Sequence, residues 1–284
     1  PPVWDMALHQ TYALNYLPHA EIPATIPVGD WSGNYPPFVH LAIALTYLVF
    51  HPGPHIAVLA NVPATVLLLW GVYGLANGLA GGGAGRWACI LTALTPYLIW
   101  FSRETVLDYW LSAWVAVSLL LLWRTDGFQS RPTSLLLGFT AAFGLLTKWT
   151  FAGFLVLPGA YVCIRARIWK SKERMVHLAD CVLIALGIAG IWYLPCLPRL
   201  VRYFQDNAEI GAREGEPAVF SFQSLIYYLR LLEGYQLFGL LFLLLLVSCF
   251  FAFKKRLFQD GRLWVCLIAG GWLAMTLLRT KDPR

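Results

Sequence analysis

Apolar runs broken by short polar turns recur along the whole chain. They cover about 57–79, 87–101, 105–123, 134–148, 150–166, 178–196, 236–253 and 262–279. A helix needs roughly 20 apolar residues to cross the hydrocarbon core. The pattern therefore predicts an all-α polytopic membrane protein with about eight transmembrane helices. The 15-residue runs are short, and the turn at Thr147-Lys148-Trp149 is very tight. Two further segments are amphipathic or too short to span. Tyr35-Pro36-Pro37 opens the run Phe38–Phe50, and residues 5–17 interleave Ala7, Leu8, Tyr12 and Leu14 with polar groups. Both read as interfacial helices, the prolines suiting a first helical turn.

Charge orients these elements. Loops 80–86, 124–133, 164–177 and 254–261 carry Arg86, Arg124, Arg131, Arg165, Arg167, Lys170, Lys172, Arg174, Lys254, Lys255 and Arg256. The Lys/Arg bias assigns that face to the cytoplasm. Segment 1–56 has no Lys or Arg, and eleven of the fifteen acids fall on its face: Asp5, Glu21, Asp30, Glu104, Asp108, Asp206, Glu209, Glu214, Glu216, Glu233 and Asp282. The chain then reads as one membrane domain, 1–284. Within it lie a first outer loop 1–56, a six-helix core 57–196, an outer loop 197–235 and C-terminal helices 236–284. A plasma or inner membrane is the expected location.

Composition sharpens this. The chain is 58% hydrophobic and 13% charged, against about 25% charged in soluble domains. The net charge of +6 is segregated by loop and does not point to nucleic acid. The six cysteines sit in or beside apolar runs without a CxxC pair, so they read as small buried hydrophobes. The chain starts at Pro1 without Met and reads as a piece of a longer protein.

The candidate chemistry lies on the acid-rich face. Asp5 begins the first short helix, as an N-cap or as an ionised carboxylate able to take a proton. His9 is on the same helical face, placed to pair with Asp5 or to share a divalent ion with it. Two ligands do not define a metal site, and no cofactor is certain. Ser102-Arg103-Glu104-Thr105-Val106-Leu107-Asp108 crowds three ionisable groups between two apolar runs, and charge there is a functional-site hypothesis. Asp108 is a cap, an ion-pair partner of Arg103 or an active-site acid. Arg103 pairs with an acid or binds phosphate. Glu104 reads as a solvated loop charge. Lys148, alone between apolar runs, either snorkels or meets an anionic headgroup. Arg279, Lys281 and Arg284 bracket Asp282, a cluster suited to a lipid phosphate.

No P-loop, GxGxxG, HExxH or GxSxG occurs. With no nucleotide motif, a sugar donor would have to be lipid-borne. Two other classes compete with an interfacial enzyme: a transporter or flippase for a lipid-linked sugar, and a non-catalytic membrane assembly subunit. A transporter is expected to carry ionisable groups near the midplane, whereas the middles of these runs are nearly uncharged.

Five motifs in order resemble the dolichyl-phosphate-mannose–protein mannosyltransferase family, whose relatives include the lipid A aminoarabinose transferases. They are Trp4-Asp5, Asn34-Tyr35-Pro36-Pro37-Phe38, Ser102-Arg103 with Asp108, Leu146-Thr147-Lys148, and Thr280-Lys281-Asp282-Pro283-Arg284. Met6 stands where that family often has Glu, a departure from the protein-O-mannosyl pattern. The resemblance implies the GT-C fold and inverting transfer from a polyprenyl-phosphate sugar to a lipid, glycan or protein acceptor on the outer face. It implies Asp5 as base and Asp108 as positioning acid. Lys148, Lys281, Arg284, Arg103 and Tyr35 would meet the lipid phosphate or substrate.

Overall fold

The computed structural model describes residues 4–18, 27–219, 221–254 and 261–276. The described residues form helices and no strands. The helices are α1 Trp4–Leu14, α2 Phe38–Val49, α3 Pro54–Ala57, α4 Asn61–Ala80, α5 Ala84–Leu94, α6 Pro96–Phe101, α7 Leu107–Arg124, α8 Arg131–Thr147, α9 Phe151–Ala166, α10 Lys172–Arg213, α11 Phe222–Leu231, α12 Phe238–Lys254 and α13 Gly261–Thr276. Two stretches, Pro54–Ala80 and Lys172–Arg213, are long and apolar enough to cross a membrane.

α7 is the central helix. It packs on α4, α8 and α9, while α8 packs on α10 and α9 on α13. Its residues are buried around the whole circumference from Leu107 to Leu122. The outer helices turn apolar side chains away from the bundle, as at Leu183, Ile191 and Leu194 of α10. That is the inside-out economy of a helix whose solvent is lipid.

Small residues set the close approaches, as expected where lipid removes the hydrophobic drive between helices. A Cβ on Gly71 of α4 would lie 2.7 Å from the Ala116 backbone of α7. One on Gly138 of α8 would lie 2.7 Å from the Cys181 carbonyl oxygen of α10.

Two elements differ from the sequence reading. The run 87–101 is broken at Thr95, where α6 begins with Pro96 at its first position; proline has no N–H to continue α5 and clashes with the preceding turn. The span read as 178–196 starts at Lys172 and runs to Arg213, through Pro195 and Pro198. At 1.5 Å per residue this helix is about 60 Å long, about twice the hydrocarbon thickness. Its far end therefore stands beyond the bundle. Contacts made after the prolines hold it there, as follows.

Candidate active site

α7 opens with Val106 extended and Asp108 in its first turn. α8 ends at Thr147, and Lys148 follows in an extended conformation, its N–H bonded to the Gly144 carbonyl. These two helix ends are neighbours, and Lys148 Nζ donates to Asp108 Oδ1 at 2.8 Å. Each side chain is only 13% exposed. Asp108 therefore pairs with Lys148 across the α7–α8 interface, not with Arg103, which is exposed on its turn.

The turn itself is stapled from below. The Asn61 side chain, buried at the start of α4, donates to the carbonyls of Ser102 and Glu104 at 3.2 and 2.8 Å. Glu104 is half-buried, not fully solvated, and its Oε2 has no hydrogen-bond partner among the described residues. Burial pushes its carboxyl above the usual range, partly offset by a hydrogen bond with the Trp100 side chain.

α1 docks on the same turn. Gln10 Nε2 donates to Thr105 Oγ1 at 3.1 Å, and Thr105 Oγ1 donates to the Met6 carbonyl at 3.4 Å. Asp5, half-buried, is the residue before Met6. The first helix is thus pinned three residues ahead of Asp108.

A buried polar chain joins α1 to α2. His9 Nδ1 lies 2.9 Å from His40 Nε2, His40 Nδ1 lies 2.8 Å from Ser32 Oγ, and Tyr16 Oη lies 2.7 Å from Ser32 Oγ. One nitrogen of His9 is therefore engaged by His40. Burial, and then the neighbouring His9, hold His40 well below the usual imidazole value, so it stays neutral at pH 7. Among the described residues no three His, Cys, Asp or Glu gather to hold a metal ion.

Aromatic rings wall the space between α2 and the extension of α10. Tyr35 stacks on Trp149 at 6.0 Å between centroids, and Tyr203 packs edge-on to both. Phe204 packs edge-on to Trp149. Arg199 on the same extension forms an ion pair with Asp30 and donates to the Gly29 carbonyl at 3.1 Å. These contacts hold α10 together past its prolines. An apolar groove of about 800 Å³ lies between α2, α4, α7 and α8, lined by Phe38, Leu41, Leu45, Val62, Trp110 and Leu146 among others.

The structure thus gathers Asp108 and Lys148 directly, and hangs Asp5, His9 and Tyr35 on elements packed around them. Lys281 and Arg284 lie outside the described residues. Sequence reasoning missed Asn61, Thr105, His40 and Arg199. Asn61 and His40 had a signal, each being a lone polar group in an apolar run. Thr105 and Arg199 had none.

A chain whose described residues are helical, with apolar side chains facing outward and a match to a sugar-transferase family over residues 34–193, defines the class: a membrane glycosyltransferase. The matched stretch is more than half of the sequence, the family is the dolichyl-phosphate-mannose-protein mannosyltransferases, and the chain belongs to it. The match runs from the segment just before α2 into α10 and includes Tyr35, Arg103, Asp108 and Lys148, while Asp5 precedes it. In the comparisons no curated protein and no solved structure matches the chain. The family implies a lipid-linked sugar donor and a membrane-embedded state.

Proposed function

We propose that this chain transfers a sugar from a polyprenyl-phosphate donor to an acceptor hydroxyl or phosphate on the outer membrane face, inverting the anomeric centre, within a GT-C fold. The observation that carries the reading is the largely buried Asp108–Lys148 pair, joining two helices, α7 and the end of α8, that also supply residues to the apolar groove. Trp110 follows Asp108 by two residues and Leu146 precedes Lys148 by two, and both line the groove. A polyprenyl chain lying there would bring its phosphate to Lys148.

The chemistry follows from that placement. The Lys148 ammonium has three donors, so it can hold Asp108 and a phosphate oxygen together. As the bond from the sugar to phosphate breaks, its electron pair goes to the phosphate, where a preorganised cation stabilises it most. Arg103, Lys281 and Arg284 are the further cations proposed for that charge. The acceptor attacks from the opposite side; a hydroxyl acceptor loses its proton to Asp5, whereas a phosphate acceptor attacks already ionised. Asp108 orients Lys148 and keeps its ammonium in the site. Tyr35, stacked on Trp149, is a ring face for the sugar.

The test uses the full-length protein, a labelled polyprenyl-phosphate sugar and an acceptor. Asp5→Asn should cut turnover by at least about 100-fold, the scale of a general base, at unchanged expression. Wild-type turnover in this variant sinks the assignment.

A further inference from the structure

The opposite end of the bundle holds a second built site. The turn after α9 and the first turn of α10 enclose a pocket of about 570 Å³, lined by Gln129, Arg167, Lys170, Ser171, Glu173 and Arg174. Three of these are cations and one is an acid. Among the described residues no ion pair engages Arg167, Lys170 or Arg174. Nearby acids are occupied: Asp180 holds Arg131 at 3.1 Å, and Asp126 accepts from Gln129 at 3.1 Å.

The pocket walls are fixed in place. Arg174 Nη1 donates to the Ala166 carbonyl at 3.0 Å, which aligns its guanidinium and leaves further N–H groups for a ligand. The facing turn runs left-handed through Asp126, Gly127 and Phe128, with φ of 49, 67 and 64°. A Cβ on Gly127 would collide with Ala166 Cβ, so this turn is pressed onto the end of α9. His177 Nδ1, 2.9 Å from the Phe128 carbonyl oxygen, ties the same turn to α10. Arg167 is also left-handed, at φ 48°. Of the four non-glycine residues with positive φ among the described residues, Arg167 lines this pocket, and Asp126 and Phe128 lie in the turn leading to Gln129, which also lines it. Non-glycine residues adopt that conformation at a cost, and such strain clusters at ligand clamps. Between Arg167 and Lys170, Trp169 is 56% exposed, as an interfacial anchor is.

We propose that this pocket binds the phosphate of an anionic phospholipid headgroup in the leaflet that this end of the bundle meets. Unpaired arginines and a lysine between helix ends, at the depth marked by an exposed Trp, have the chemistry for it. The site is separate from the Asp108–Lys148 pair and does not depend on the proposed transfer reaction.

Native mass spectrometry of the full chain in neutral detergent, titrated with phosphatidylglycerol or phosphatidylcholine, reads the site. The wild type should retain phosphatidylglycerol preferentially. The double variant Arg167→Gly, Lys170→Gln should lose that preference by about thirtyfold, two surface cations being removed. Glycine adopts the left-handed conformation freely, so this variant keeps its fold, checked by an unchanged melting temperature. Glu173→Gln, which adds no bulk, should strengthen retention several-fold. Arg124→Ala, which removes an exposed cation at the end of α7 outside the pocket lining, should change nothing. Equal retention by the double variant, no gain in Glu173→Gln, or an equal loss in Arg124→Ala overturns the proposal. Displacement of the lipid by millimolar inorganic phosphate would also overturn it, marking a site for free anions.

Discussion

Asp108 and Lys148 each lose their partner's charge if the other is replaced, and each is largely out of water. Breaking such a pair costs more than removing it whole, because a lone buried charge remains. Lys148→Met or Asp108→Asn alone should therefore destabilise the protein by about 2–3 kcal/mol, discounted from the fully buried case. The double variant should recover most of the melting temperature yet stay inactive in transfer. Recovery of turnover along with stability would make the pair structural only. His40 carries a second residue-scale prediction. Its folded value is held well below the ordinary imidazole value of 6.5, so below about pH 6.5 the unfolded chain binds a proton that the folded chain refuses. Stability is then present above pH 6.5 and is lost as pH falls through the folded value. His40→Gln should flatten the melting temperature between pH 7 and 5, which a thermal scan in detergent measures. Both acids of the candidate site and Lys148 were legible as charges bounding apolar runs. Their pairing was not, because it depends on how α7 and α8 line up in space, 40 residues apart in sequence.

The elements themselves were largely written in the hydrophobic pattern, since apolar runs bounded by polar turns need only local information. The exceptions have local causes that a run-length reading overrides. Pro96 splits one run into α5 and α6. The apolar run was read as 178–196, yet α10 continues through Pro195 and Pro198 to Arg213, and past those prolines Arg199, Tyr203 and Phe204 find partners in distant segments. The docking of α1 is likewise tertiary, resting on Gln10 and Thr105, 95 residues apart. Thr105→Val removes both bonds at nearly constant volume. It should leave the bundle folded, raise hydrogen exchange over residues 4–18 and lower transfer by about tenfold, the loss expected when a base is set slightly out of line. Unchanged exchange over that segment would show that these bonds do not hold α1. At the α4–α7 contact, Gly71→Leu has no room beside the Ala116 backbone and should cost at least about 2 kcal/mol, read as a fall in melting temperature.

At the scale of the whole molecule, the two ends of the bundle differ in chemistry, and that difference carries the proposed orientation. One end presents α1, α2 and the Asp108–Lys148 pair, and the segment before α3 holds no Lys or Arg. The other gathers Arg124, Arg131, Arg165, Arg167, Lys170, Lys172 and Arg174 at the adjoining ends of α7, α8, α9 and α10 and in the turn between the last two. Cations are retained on the cytoplasmic side during insertion, so the basic end should stay inside and the site should face out. Single cysteines test this directly. His51 and Gln129 are both exposed, His51 in the turn after α2 and Gln129 in the turn before α8. In intact cells a membrane-impermeant thiol reagent should label His51→Cys and spare Gln129→Cys, with labelling of the parent chain subtracted for its own six cysteines. Permeabilised cells should label both. The reverse pattern would put the ion pair and groove on the cytoplasmic side. It would discard the outer-face reading while leaving the geometry around Lys148 and the lipid-phosphate chemistry proposed there intact.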